Sequence, residues 1–378
     1  MIYFDNAATT AMSKAALDAL MDISANQYGN PSAVYGFGRK AKKVLDEARE
    51  IIAASIGADP EEIFFTSCGT ESDNWVVNQI GTKFNRIITS AIEHHAVLFP
   101  AENCHESGIA LDILPVDDNC LVSESALQTV LGDRPALVSV MMQNNETGAI
   151  QNIKQMADLV HSCNKESVFH TDAVQAVGHI NIDVHEMGID MLSASAHKFN
   201  GPKGVGFLYI SKSCNIDPFV LGGGQEKGMR SGTENVAGIY AMAKALEDNI
   251  KSMSGTHEHI LRLESLLLSE LRNENIGFEI NGDTEHRATG ILNLAIKGMD
   301  GEGLLNMLDM HGICISIGSA CNSKSQDRSH VLKAMGLSDD RIDSSVRISI
   351  GRYNTEDDVT ELVKCIKRCC NVAAVAEA

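Results

Sequence analysis

Short apolar runs, each followed by a turn and an amphipathic stretch, recur along the first half of the chain and restrict what it can fold into. They are Ile63 to Phe65, Ile87 to Ile88, Leu137 to Met142, Val168 to His170 and Met191 to Leu192. Between such runs lie helical patterns. From Ala41 onward, Val44, Leu45, Ala48, Ile51, Ile52 and Ile56 recur at helix spacing, and Gly57 with Asp59-Pro60 ends that helix. Parallel strands need a crossover between them, usually a helix, so this alternation predicts an α/β fold with a mostly parallel sheet covered by helices. Open parallel sheets bind ligands where loops gather at the carboxyl ends of strands. Residues just past the apolar runs are therefore the ones to search for chemistry.

Near Asn249 the texture changes. A long amphipathic helix carries Ile260, Leu261, Leu263, Leu266, Leu267 and Leu271, and strands are predicted at Ile291 to Ile296 and Val346 to Ile350, with a closing helix over Glu356 to Cys370. At 378 residues the chain exceeds the usual size of one hydrophobic core, so a large domain and a smaller one are expected. Fifty acidic against thirty-one basic residues give a formal charge of -19, which repels nucleic-acid backbones and anionic membrane surfaces. The start Met-Ile-Tyr-Phe-Asp-Asn shows no basic-then-apolar leader, and no apolar run is long enough to span a bilayer; a cytoplasmic protein binding neither DNA nor membrane is expected. The ten cysteines form no CxxC pair and no regular disulfide spacing, and the histidines show no metal-binding spacing, so no metal site is predicted.

Three segments carry candidate chemistry. Ser67-Cys68-Gly69-Thr70-Glu71-Ser72 follows a strand and opens a helix, where free N–H groups, the helix dipole and a threonine hydroxyl suit a phosphate; an N-terminal capping box accounts for the same residues. Asp172 in His170-Thr171-Asp172-Ala173-Val174-Gln175 stands where a carboxylate either pairs with a protonated ring nitrogen or caps a helix. Lys198, in Ser195-Ala196-His197-Lys198-Phe199-Asn200-Gly201-Pro202, sits among small residues, as a nucleophilic amine does, although a surface lysine beside a Gly-Pro turn looks the same.

Read together with Tyr3 to Thr10, Gly29-Asn30-Pro31-Ser32, Glu93 to Val97, Asn144 to Gly148, Gly222 to Asn235 and Gly318-Ser319-Ala320-Cys321, these segments span nearly the whole chain. In that order they resemble the class V aminotransferase family, specifically its cysteine desulfurases, and the stretch around Cys321 resembles the long-loop kind associated with iron–sulfur cluster assembly or nitrogenase maturation.

The resemblance implies the pyridoxal-phosphate transferase fold of type I: a mostly parallel seven-stranded sheet in a large domain over 15–250, and a smaller α/β domain formed by 1–14 and 251–378. It implies pyridoxal 5'-phosphate held as an aldimine by Lys198, with Asp172 on the pyridine nitrogen, Gln175 on the ring oxygen and His94 on the ring face, where it is also an acid-base candidate. Gly69, Thr70, Ser195 and His197 would hold the phosphate, and Asn145 would lie beside ring and substrate. Thr233 would reach the phosphate of a neighbouring subunit, which makes the protein a homodimer. Arg347 would bind the carboxylate of L-cysteine, its planar fork suiting that anion. Cys321, as a thiolate, would take the sulfur as a persulfide, leaving alanine, for an acceptor such as an iron–sulfur scaffold.

Two departures from the family pattern stand out, Cys68 before Gly-Thr-Glu-Ser and Arg328 where many relatives have proline. Rival expectations are a pyridoxal-phosphate aminotransferase or lyase, selenocysteine lyase included, in which Cys321 is incidental, and a non-catalytic dimer. A nicotinamide dehydrogenase is set aside, since no Gly-x-Gly-x-x-Gly follows an early strand.

Overall fold

The computed structural model describes residues 1–78, 84–318 and 328–376. Twelve strands occur among them, in chain order β1 Ile2–Tyr3, β2 Ile63–Thr66, β3 Arg86–Ser90, β4 Ala110–Leu114, β5 Leu137–Ser139, β6 Val168–Asp172, β7 Met191–Ser195, β8 Gly206–Ile210, β9 Phe278–Ile280, β10 Ile291–Ile296, β11 Ile313–Cys314 and β12 Ser345–Ser349. Seven form one sheet in the order β2-β8-β7-β6-β5-β3-β4. Its ladders are parallel from β7 through β6, β5 and β3 to β4, whereas β8 runs antiparallel to both β2 and β7. The expected mostly parallel seven-stranded sheet is present. Strands β2, β7 and β8 are buried along their whole length, as strands covered on both faces must be.

Two strands lack a clear sequence signature. Strand β4 is an edge strand, partly exposed and interrupted by Asp112, so its apolar content is diluted. Strand β8 returns directly from β7 through residues 196–205, too short a link for a crossover helix, and that link dictates its antiparallel direction. The run expected through Met142 is regular only to Ser139, beyond which Val140 and Met142 still donate to the His170 and Asp172 carbonyls. The helix predicted from Ala41 spans Gly36–Ser55 and buries Ala41, Val44, Leu45, Ala48 and Ile52. Gly57 follows it at φ 69°, where an added Cβ would strike the Asp183 carboxyl at 2.6 Å, so a side chain there would be both strained and blocked.

One apolar cluster packs on one face of the seven-stranded sheet, with Ile52, Val138, Phe169, Leu192 and Phe207 at its heart. A second gathers Phe4, Leu263, Leu267, Leu294, Ile348, Leu362 and Ile366 around the antiparallel sheet β12-β10-β9. The helix Val236–Asn273 joins them, placing Met242 and Leu246 in the first cluster and Ile260, Leu263 and Leu271 in the second. The N-terminal residues join them again: β1 pairs with β11, while the backbone N–H groups of Thr10 and Ser13 donate to the carbonyls of His197 and Asn200. Cys365 and Cys369 pack into the second cluster as small apolar residues.

On the far face of the sheet the helix Gly69–Asn78 is fixed by Trp75, the only tryptophan of the chain, fully buried and stacked on Phe219 with ring centroids 5.9 Å apart. Its indole N–H donates to the Asp217 carbonyl at 3.0 Å. Trp75→Ala is expected to lower the free energy of unfolding by about 3–5 kcal/mol, read from urea denaturation followed by circular dichroism. A loss below about 1 kcal/mol would show that this helix is held by other contacts.

Candidate active site

Beyond the carboxyl ends of β2, β6 and β7 lies a cavity of about 170 Å³. Gly69, Thr70, His94, Asn145, Asp172, Gln175, Ser195, His197, Lys198 and Arg347 all line it, so ten candidate residues spread over nearly 280 positions meet in one place. Thr233 does not line it and is exposed. Cys321 lies outside the described residues.

Each residue is delivered by a short structural device. Lys198 closes a 3-10 turn, Ala196–Lys198, that follows β7 directly, and its Nζ donates to the carbonyls of Ala7 and Ala8 at 2.6 and 2.9 Å. Asp172 ends β6, and its Oδ1 accepts from the Val174 N–H at 2.9 Å. His94 caps the helix His95–Glu106, its Nδ1 accepting from the Ala96 N–H at 3.1 Å. Capping and site roles thus coexist: the cap fixes the ring or carboxyl while its remaining face meets the cavity. Glu71, outside the cavity lining, accepts from the Ser67 N–H at 2.9 Å in the manner of a capping box and binds Arg230 at 2.7 Å. Asn144, fully buried, accepts from the N–H groups of Glu146 and Thr147 and so shapes the turn that presents Asn145.

Burial sets the charges. It lowers the His94 pKa to about 4, helped by Lys198, His95 and His330, and lowers that of His197 to about 4, helped by Lys198 and Lys203; both rings are neutral at pH 7. The Asp172 carboxyl is raised to about 6 by burial, opposed by the Val174 N–H and the charge of Lys198. Glu93, also fully buried, is raised to about 8 and is a neutral acid at pH 7, receiving Ser90 Oγ at 2.5 Å and the Met141 N–H at 2.8 Å.

The residues present fit pyridoxal phosphate. The Ser195 hydroxyl is 2% exposed and has no hydrogen-bond partner, beside the first turn of the helix Gly69–Asn78, whose N–H groups have no intrahelical acceptor. A Cβ at Gly69 would lie 2.5 Å from Val174, so glycine lets the helix start close against the cavity wall. Arg347 is 1% exposed; its Nη2 binds Asp5 at 2.7 Å, its Nη1 donates to the Asn145 carbonyl at 2.9 Å, and its Nε has no partner. A dianion at one end and a carboxylate at the other would answer these unpaired donors. Cavity residues without a role assigned from sequence are Ala7, Ala8, Cys68, Asp73, Met141, Gln143 and Val174. Asp73 leaves no periodic or turn signal, being one polar residue within a helix.

Comparisons with known proteins agree with this geometry. The sequence pattern of the aminotransferase class-V family matches residues 2–362. The curated protein "Cysteine desulfurase IscS" of Clostridium botulinum is 41% identical over 374 residues, 97% of this chain and 94% of that protein. A solved structure described as a NifS-like protein superposes with a TM-score of 0.91 at 38% identity, covering 97% of this chain and 98% of that one. Another, described as SspA in complex with cysteine, gives a TM-score of 0.83 at 31% identity, covering 94% and 100%. A half-buried lysine, an aspartate at a strand end and a phosphate-ready helix start share one cavity, and relatives this similar span the chain almost end to end: it belongs to the class-V aminotransferase family, in its cysteine desulfurase branch.

Proposed function

We propose that this chain is a pyridoxal-phosphate-dependent cysteine desulfurase, converting L-cysteine and the Cys321 thiol into L-alanine and a Cys321 persulfide. The observation that carries this assignment is the convergence of Lys198, Asp172, Gly69, Thr70 and Arg347 on one cavity in a chain whose relatives bear that name. Bound there, pyridoxal phosphate supplies an electrophilic carbon for amines and a ring that withdraws electrons from the substrate's α-carbon.

The side chains divide the work by chemistry. Gly69 and Thr70 with Ser195 and His197 hold the phosphate, joined by Thr233 from a second copy of the chain. Asp172 holds the ring nitrogen, Gln175 the ring oxygen, and His94, neutral and capped in place, lies on the ring face. Lys198 attaches the cofactor and then carries a proton to and from the substrate's α-carbon. Arg347 and Asn145 orient the substrate carboxylate. Cys321 attacks the substrate sulfur as a thiolate; the carbon–sulfur bond breaks, the electron pair stays with carbon, and protonation there gives alanine. The persulfide then passes to a sulfur acceptor, iron–sulfur cluster assembly being the use associated with the long-loop kind.

We assign cofactor binding to a large domain over 15–250, and place residues 1–14 with 251–378 in the smaller domain that bears Cys321. Among the described residues no helix is long and apolar enough to cross a membrane, and we place the protein in the cytoplasm.

Sulfide and alanine formation from L-cysteine, with a thiol reductant and pyridoxal phosphate, tests the assignment. Wild type is expected to release both in equal amounts, and Cys321→Ser to bind cofactor normally while losing at least about 100-fold in sulfide release. Lys198→Ala is expected to lose both activity and the visible absorption of attached cofactor. Sulfide release unchanged in Cys321→Ser would instead identify a lyase, and no sulfide from either protein an aminotransferase or a non-catalytic dimer. A pH series tests Asp172 separately. The carboxyl must be ionised to pair with a cationic ring nitrogen, and its pKa of about 6 means that the charge disappears as pH falls through that value. Cofactor affinity is expected to weaken by up to about tenfold per unit below pH 6 and to lose that dependence in Asp172→Asn. An affinity flat from pH 7 to pH 5 would remove Asp172 from this role.

A further inference from the structure

The wall that presents Asp172 contains a second acid. Asp73 lies on the sheet-facing side of the helix Gly69–Asn78, is 1% exposed, and lines the same cavity. Its Oδ1 has no hydrogen-bond partner. The groups facing it are Ser193 and His170 from the neighbouring strands, and Asp172, Glu93 and Cys68, none of which is a cation that would hold a carboxylate. His170 Nε2 is 3.7 Å from Asp73 Oδ1, but that ring is fully buried between Ser139 Oγ, 2.8 Å from Nδ1, and Ser193 Oγ, 3.0 Å from Nε2. Its pKa is pushed down by burial to about 3, so it is neutral at pH 7. Asp172 differs in having the Val174 N–H and the charge of Lys198 to support its ionised form. Two buried carboxyls in one cavity do not both ionise cheaply; Asp73 has the Ser193 hydroxyl alone in support, whereas Asp172 has a backbone donor and a nearby cation and keeps the charge.

We propose that Asp73 is a positioning residue held as a neutral acid, so that Asp172 is the single ionised carboxyl among Asp73, Asp172 and Glu93. The cavity then presents one negative charge to one cationic ring nitrogen, and the layer of Ser139, His170, Ser193 and Asp73 beneath it is polar but uncharged. Burial, then the charge of Asp172, push the Asp73 carboxyl well above the usual carboxylate range. The inference rests on the assignment of Asp172 to the ring nitrogen.

An acid whose pKa is higher in the folded than in the unfolded state costs stability that grows as pH rises from about 4 toward its folded value. Asparagine has the shape of the neutral acid without that titration. Thermal unfolding of the full-length protein, with and without pyridoxal phosphate, is therefore expected to show Asp73→Asn gaining on wild type as pH rises, by about 3 °C or more between pH 5 and pH 8. Asp73→Ser is expected to follow the same trend from a lower starting point. In pyridoxal-phosphate titrations Asp73→Asn should bind within about threefold of wild type, while Asp172→Asn weakens binding more than about tenfold. A stability difference that is flat or reversed with pH, or binding lost in Asp73→Asn as severely as in Asp172→Asn, would mean that Asp73 works as an ionised group and would overturn the proposal. Should Asp172→Asn bind as wild type does, the assignment of Asp172 fails instead, and the pH trend of Asp73→Asn still decides the state of Asp73.

Discussion

Arg347 is 1% exposed on β12, and its ion pair with Asp5 is the contact around which the rest of the site is arranged. An arginine this deep is tolerated only when its charge and donors are met, and removing its partner would leave an uncompensated buried cation. Asp5 therefore holds the N-terminal residues against the antiparallel sheet, where Phe4 enters the second apolar cluster. Two residues on, the Ala7 carbonyl accepts both Lys198 Nζ and Gln175 Nε2, and Thr10 Oγ1 donates to the His197 carbonyl. One N-terminal segment thus registers the cavity-lining arginine against Lys198 and Gln175 beside the large sheet.

Around that strap the cavity is electrically sparse. Burial keeps His94, His197 and His170 neutral, and it raises Glu93 so that its proton stays on at pH 7. The same desolvation that makes an isolated buried charge expensive makes each remaining charge count, because little solvent screens it. Lys198, Arg347 and Asp172 are accordingly the groups able to steer an anionic, ring-bearing ligand in one orientation.

Part of the site was legible in local sequence, and the rest came from the family resemblance, because only some of its devices are local. A helix start after a strand, an aspartate at a strand end and a lysine among small residues depend on a few neighbouring positions. What sequence left undecided was choice between uses, and in several places no choice was needed: His94 and Asp172 both cap backbone N–H groups and line the cavity. Asp73 and Glu93 escaped notice for the opposite reason. Their surroundings come from β3, β5, β6 and β7, and nothing in the adjoining residues announces that an acid at those positions will be buried beside another.

The amino-acid sequence by itself determined the α/β class, the mostly parallel sheet, a long amphipathic helix past Asn249 and the order of the chemical groups, since hydrophobic period and turn chemistry act over short stretches. Tertiary structure alone decided that residues 4–10 brace Arg347 and Lys198 together, and which acids and histidines are neutral. Those outcomes depend on burial and on charges brought close from distant positions, and neither distance nor desolvation exists until the chain is packed.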